Sequence, residues 1–224
     1  MSKSFNIVIA TTGRSTLERM INSIAHQLEK QDFLTIIWDG PQRDLTIHTK
    51  AQVANIVNDE PLGFWGHGSR NEWIPKLPGD YFLNADDDDE YLPGAMDKIR
   101  SVVTEDKLYV FKIQYGKAII PSGKELKVGN IGTPCGVYPK VDPMPIWEHR
   151  YGGDGDFYVA LSKMLPVKLV DHVIYKVGDK TPKREMPPKP DSIKCDCGYE
   201  CHIHPNQMLL IWEGHCSRCD KTIR

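Results

Sequence analysis

The chain has 224 residues with 40% hydrophobic and 26% charged content, which suits a globular protein with room for one large domain and a small one. A formal net charge of −2 supplies no field that would draw nucleic acid or an acidic membrane surface. No apolar run approaches the roughly 20 residues of a membrane helix, and Met1-Ser2-Lys3-Ser4-Phe5-Asn6 lacks the apolar core of a signal peptide, so a cytosolic protein without a membrane span is expected.

Phe5 to Ala10 is a β-branched run and the first predicted strand. Thr11-Thr12-Gly13-Arg14 is a turn, and Ser15 with Glu18 three residues on has the spacing of a capping box. Leu17, Met20, Ile21, Ile24 and Leu28 then recur at helical intervals. Leu34 to Trp38 is a second strand ending in Asp39-Gly40, and Val53 to Val57 a third. Ser69 to Leu77 is a predicted helix. Tyr81 to Asn84 is a buried strand that runs into Asp86-Asp87-Asp88-Asp89-Glu90. Pro93 suits the first turn of another helix, with Met96, Ile99 and Val103 on one face. This alternation predicts an α/β fold with parallel strands.

Leu108 to Ile113 and Lys117 to Ile120 are further strands. Residues 129–153 are rich in Gly and Pro and are expected to be irregular, covering a site. Asp154 to Leu165 is helical by pattern, with Phe157, Ala160, Leu161 and Met164 turned inward, and Val167 to Val177 is a final strand in which His172 reads as packed. Thr181 to Lys194 holds four prolines and several lysines, the composition of a stiff linker. The expected organisation is a catalytic domain over 1–178, a linker over 179–194 and a small module over 195–224.

Five like charges in a row repel one another and do nothing for stability. Acids at the C-terminal edge of a buried strand are placed to hold a hard divalent cation, in the crevice where open α/β sheets bind ligands. The other reading of the run is a solvated acidic loop. Asp39 is likewise either a ligand-facing strand-end acid or a turn acid before glycine. Asp154 and Asp156 open a helix, where acids serve as catalytic groups or as plain caps.

Five segments together resemble a family-2-type glycosyltransferase of the GT-A fold, over roughly residues 5–177. They are Phe5 to Arg14, Ile36 to Gly40, Gly68-Ser69-Arg70-Asn71, Leu83 to Gly94 with its DxD-like acids, and Gly153-Asp154-Gly155-Asp156-Phe157. The resemblance implies a Rossmann-like, mostly parallel central sheet with flanking helices. It also implies metal-dependent, inverting transfer of a sugar from a nucleotide sugar, most often a UDP sugar, to a carbohydrate or other hydroxyl acceptor. Under it Asp86 and Asp88 are the first and last acids of the DxD motif, with Asp87 between them also in the cofactor site. Asp88 would hold Mn²⁺ or Mg²⁺ and Asp86 the ribose or a metal-bound water, the register being open because Asp87 and Asp89 are acids too. Thr11, Asp39, Arg14 and Arg70 would line the nucleotide and diphosphate site. The family's Glu-Asp pair is replaced here by Gly153-Asp154, so the general base is Asp154 or Asp156, with Asp154 the better match. Trp147 is either a core residue or a sugar-stacking ring.

Five of the six cysteines fall in the last 30 residues. Cys195, Cys197, Cys216 and Cys219 resemble the two knuckles of a zinc ribbon, a tetrahedral thiolate site for Zn²⁺, with Cys201 or His204 as alternative ligands. A module of that size cannot bury enough core to fold unaided, so a metal is expected. Residues 179–224 carry eight Lys and Arg against seven Asp and Glu, which favours protein contact over nucleic acid. Two rival readings stand beside the transferase. A nucleotidyltransferase shares the sheet and the paired acids, but its phosphate loop is longer and richer in glycine than Thr11-Thr12-Gly13-Arg14. A non-catalytic zinc-ribbon protein with an inactive transferase-like domain is the other.

Overall fold

The computed structural model describes residues 3–123 and 125–178, and beyond them the backbone of three strands between residues 202 and 223. The chain divides into two compact units, Met1–Asp179 and Lys180–Arg224.

In the first unit the chain runs β1 (Phe5–Thr11), α1 (Leu17–Ala25), β2 (Phe33–Trp38), β3 (Gln52–Val57), α2 (His67–Trp73), β4 (Tyr81–Asp86), β5 (Glu90–Tyr91), α3 (Ala95–Val102), β6 (Leu108–Tyr115), β7 (Ala118–Ile120), β8 (Gly136–Pro139), α4 (Gly153–Leu161) and β9 (Val167–Lys176). The sheet order is β3-β2-β1-β4-β8-β6-β9-β5, with β7 paired to β6. Strands β3, β2, β1 and β4 are parallel neighbours. Strand β8 enters antiparallel between β4 and β6, so the sheet is mixed rather than mostly parallel. The sequence hid β8 because its four residues, Gly136-Val137-Tyr138-Pro139, sit inside a Gly- and Pro-rich stretch and lack alternation.

All seven residues of β1 are buried, as expected of a parallel strand covered on both faces. Helix α1 buries Leu17, Met20, Ile21, Ile24 and Ala25, so its apolar spacing is realised. Each such aliphatic side chain contributes roughly 1.5–3 kcal/mol by leaving water. Gln27 ties α1 to α3, donating to the Leu92 carbonyl at 3.1 Å and accepting from the Met96 N–H at 3.2 Å. At the start of β1, the buried Asp32 accepts from the Phe5 and Glu29 N–H groups and pairs with Arg100.

Several local expectations are corrected. The Ser15–Glu18 capping box does not form, because the helix is capped one residue later at Thr16, with no side-chain cap bond. Helix α3 starts after Gly94, not at Pro93. Helix α4 ends at Leu161, so Met164 falls past its end and is exposed, while Tyr158 is buried instead. His172 is exposed on β9. Trp147 is a core residue, stacked on Phe157 with ring centroids 4.2 Å apart.

The second unit contains a three-stranded antiparallel sheet, His202–Asn206, Ile211–Cys216 and Lys221–Ile223 in that order. The linker and Cys195, Cys197, Cys201 and Cys219 lie outside the described residues. Cys216 closes the middle strand, and His204 lies within the first.

Candidate active site

Three neighbouring parallel strands end together. β1 ends at Thr11, β2 at Trp38 just before Asp39, and β4 at Asp86. Polar side chains collect there because side chains past the last ladder bond are free to face the crevice.

Each acid of the run has a different environment. Asp86 is held by Arg70, whose Nη2 donates to Asp86 Oδ1 at 2.7 Å and to the Ala85 carbonyl at 3.1 Å. Arg70 is 1% exposed and lies over the Trp147 ring at 5.3 Å, so this guanidinium is a fixed internal brace. The Asp86 N–H donates to the Tyr175 hydroxyl at 3.1 Å, so the end of β9 curls back onto the end of β4. Asp87 is buried and accepts from the Thr11 hydroxyl at 2.5 Å. Burial pushes its carboxyl above the usual range, against the pull of Arg14 and Thr11. Asp88, about one-third exposed like Asp86, pairs with Arg14, Nη1 to Oδ2 at 2.7 Å. Asp89 is buried, accepts from the Gly178 N–H at 2.9 Å, and is pushed up to about 8 by burial and then by the neighbouring Asp86 charge. The run is therefore no simple solvated loop, since two of its four aspartates are buried.

Thr11 is the last residue of β1 rather than a loop residue, and its hydroxyl spans Asp87 and the Gly13 N–H. Asp39 organises the segment after β3. Its Oδ1 accepts from Asn58 Nδ2 and the Leu62 N–H, and its Oδ2 from the Gly63 N–H, all at 2.7 Å. Oδ2 thus accepts one hydrogen bond of the two it can take, on a residue that is 7% exposed.

The two helix acids have separate surroundings. Asp154 is largely buried, with Asp86, His67 and Arg70 acting on it electrostatically. Burial is the main cause that raises its carboxyl, and the Asp86 charge adds to it. Asp156 instead pairs with Arg150 at 2.6 Å. Gly152, with φ of 84°, turns the chain into α4, and Gly153 lets the helix press against its neighbours. A Cβ on Gly153 would meet the Glu148 carbonyl and stand 2.9 Å from the His67 ring.

His67 is the residue that the sequence reading missed. It is buried, lies within hydrogen-bonding distance of the Glu148 carbonyl (Nδ1 to O, 2.7 Å), and is kept below its ordinary pKa chiefly by burial. The available signal was its place three residues before Arg70, a spacing that puts both on one helix face. Asn71, next along, locks the Trp147 backbone in a reciprocal pair of 2.9 and 2.8 Å. Arg70, Asp86, His67 and Asp154 thus form one cluster, with Thr11, Asp87, Arg14 and Asp88 beside it.

No group of three or more His, Cys, Asp or Glu side chains is assembled as a metal cage among the described residues. A magnesium-type ion held by one or two carboxylates and completed by substrate phosphates does not need one. Asp88 Oδ1 and Asp86 Oδ2 are hard oxygens outside the ion pairs to Arg14 and Arg70, so the residues present suit such an ion. No described helix is long and apolar enough to cross a membrane.

No protein-family profile and no curated protein matches the sequence. The fold does have relatives. Staphylococcus aureus TarS 1–349 in complex with UDP-GlcNAc superposes with a TM-score of 0.63 at 15% identity, covering 85% of this chain and 62% of that one. The mannosyltransferase PcManGT from Pyrobaculum calidifontis, in complex with GDP-Man and Mn²⁺, gives 0.61 at 9% identity, covering 82% and 59%. TarS 1–349 with UDP gives 0.60 at 14%. The chain spans about three-fifths of the length of these structures, and the likeness is one of fold. The shared fold is a curled, mixed α/β sheet.

Proposed function

We propose that the first unit is a metal-dependent, inverting glycosyltransferase that moves a sugar from a nucleotide-sugar donor to an acceptor hydroxyl. The observation that carries this reading is the Arg70–Asp86–His67–Asp154 cluster. It sets a braced strand-end acid within electrostatic reach of a partly buried helix acid, at the end of the sheet where the parallel strands finish.

Asp88, with Asp86, would hold Mn²⁺ or Mg²⁺, which supplies Lewis-acid neutralisation of the leaving diphosphate. Arg14 sits on Asp88 and would exchange that contact for diphosphate oxygens. Thr11 fixes Asp87, which keeps the acid loop folded against β1. Asp39 and the backbone after β1 would receive the nucleoside. Arg70 holds Asp86 in one orientation and needs no movement to do so.

Asp154 is the general base. It takes the proton from the acceptor hydroxyl as that oxygen attacks the anomeric carbon and the diphosphate leaves. A carboxylate raised by burial is a stronger base than a solvated one, which suits this task. Asp156 is neutralised by Arg150 and suits it less. The fold likeness to structures holding UDP-GlcNAc and GDP-Man supports a nucleotide-sugar donor. In the second unit we place one structural Zn²⁺ on Cys195, Cys197, Cys216 and Cys219, with protein contact as the role of the module.

The test is thermal denaturation of the full chain with UDP, UDP-GlcNAc and GDP-mannose, with and without Mn²⁺. A ligand at a hundred times its Kd stabilises the native state by about 2.7 kcal/mol. A Mn²⁺-dependent rise with at least one nucleotide is expected. No rise with any of them overturns the reading.

A further inference from the structure

Phe64 and Trp65 are consecutive non-glycine residues with φ of 53° and 54°, flanked by Gly63 at 65° and Gly66 at 82°. The left-handed region strains a non-glycine residue, and such strain gathers at ligand clamps. Both side chains are large and exposed, Phe64 by 42% and Trp65 by 56%. The fold spends strain here to turn two rings outward.

The rings have partners from a distant part of the chain. Phe64 stacks on His149 with centroids 4.1 Å apart and planes 11° from parallel. Trp65 meets Tyr151 edge-on at 6.3 Å, and Tyr151 is itself 84% exposed. The cluster is anchored at both ends to the acids. The Trp65 carbonyl accepts from Arg70 Nη1 at 3.0 Å, the same guanidinium that holds Asp86. Tyr151 stands three residues before Asp154. Gly66 closes the joint, since a Cβ there would stand 2.6 Å from the Ala10 Cβ.

We propose that Phe64, Trp65, His149 and Tyr151 form the seat for a pyranose ring of the acceptor. A sugar presents an apolar C–H face that stacks on aromatic carbon, while its hydroxyl rim stays polar, so one ring satisfies both the aromatic wall and the acids behind it. Exposed aromatic carbon that needs strain to stay exposed marks a binding surface. This inference rests on the transferase reading, because it assigns the ring to the acceptor.

The experiment measures capture of the full chain by immobilised neutral saccharides of glucose, mannose, galactose and N-acetylglucosamine, for the parent, Trp65→Gly and Tyr151→Ala. Glycine suits the left-handed backbone at position 65, so that variant loses the ring and keeps the fold, with a Tm at or above the parent's. The expected result is capture on at least one saccharide that falls tenfold or more in both variants. The seat is overturned by no capture in the parent, by capture unchanged in both variants, or by a tenfold loss of UDP binding in Trp65→Gly with saccharide capture intact, which would make it a nucleobase seat. Capture without Mn²⁺-dependent nucleotide binding in the parent would sink the transferase reading and keep the seat as a saccharide site. Nucleotide binding without capture would do the reverse.

Discussion

Arg70 Nη2 lies 2.7 Å from Asp86 Oδ1, joining a guanidinium with no exposed side-chain surface to a carboxylate that is one-third exposed. The same group also reaches the Trp65 and Ala85 carbonyls. Removing the buried guanidinium leaves two carbonyls and a partly exposed carboxylate without their donor, at a cost of about 1–3 kcal/mol. Arg70→Ala should therefore destabilise by about that much in urea unfolding. Arg70→Lys should recover only part, because an ammonium cannot reproduce the fork. The double variant Arg70→Met with Asp86→Asn should cost less than the two single changes summed. Additivity within about 0.5 kcal/mol would show that the two side chains act independently.

The Asp88 side chain is one-third exposed, and Arg14 is its side-chain partner among the described residues. A half-exposed pair of this kind is worth at most about 1 kcal/mol. Asp88→Asn should leave the unfolding midpoint of the metal-free protein nearly unchanged. It should weaken Mn²⁺-dependent nucleotide binding by roughly a hundredfold, if it removes a ligand oxygen worth about 2.7 kcal/mol. Calorimetric titration of the variant with UDP and Mn²⁺ decides the matter, and parent-like affinity would move the metal to another acid.

Much of this architecture was legible because β1, β2 and β4 are buried runs and α1 carries an unbroken apolar stripe. Buried periodicity is written in the residues themselves. What escaped was held by long-range partners. Strand β8 exists because β4 and β6 flank it, and four residues offer too short a period to detect. His67 reads as an ordinary polar residue until Glu148 and Gly153 fold against it. The acid run was visible, but the division into buried Asp87 and Asp89 and accessible Asp88 depends on Thr11 and Gly178, far away in sequence.

The Asp154 carboxyl is raised by burial and by the Asp86 charge. Only its ionised form accepts a proton, so transfer should be slow at acid pH, rise as pH passes the raised pKa, and then level off. The acid limb of kcat/KM should lie above the ordinary aspartate range of about 4. Asp154→Asn should cut transfer by about a hundredfold or more and abolish that limb, while Asp156→Asn should do less. If Asp156→Asn removes the limb and Asp154→Asn does not, the base is Asp156.

Asp89 is pushed up to about 8, so in the metal-free fold it stays protonated at neutral pH while the unfolded chain ionises near 4. Between those values the native state binds the extra proton, and stability falls as pH rises. Asn keeps an oxygen for the Gly178 N–H and has no charge to bury. Asp89→Asn should therefore match the parent near pH 4 and exceed it by about 1 kcal/mol or more at pH 8, one pKa unit being worth about 1.4 kcal/mol. Urea melts of both proteins at the two pH values test this, and an equal difference at both would place the proton elsewhere.

The strands His202–Asn206, Ile211–Cys216 and Lys221–Ile223 make a very small sheet. A unit of this size buries too little apolar surface to offset its chain entropy without a cross-link or metal. Cys216, one of the proposed ligands, ends the middle strand. The full chain should carry one zinc by elemental analysis, and Cys216→Ser should lose it. Chelation should melt the second unit alone, because each unit has its own contacts. A truncated 1–180 chain should keep the parent's Mn²⁺-dependent nucleotide stabilisation. Zinc-free protein with a fully protected tail in hydrogen exchange would refute the metal, and loss of nucleotide binding on truncation would refute the independence of the two units.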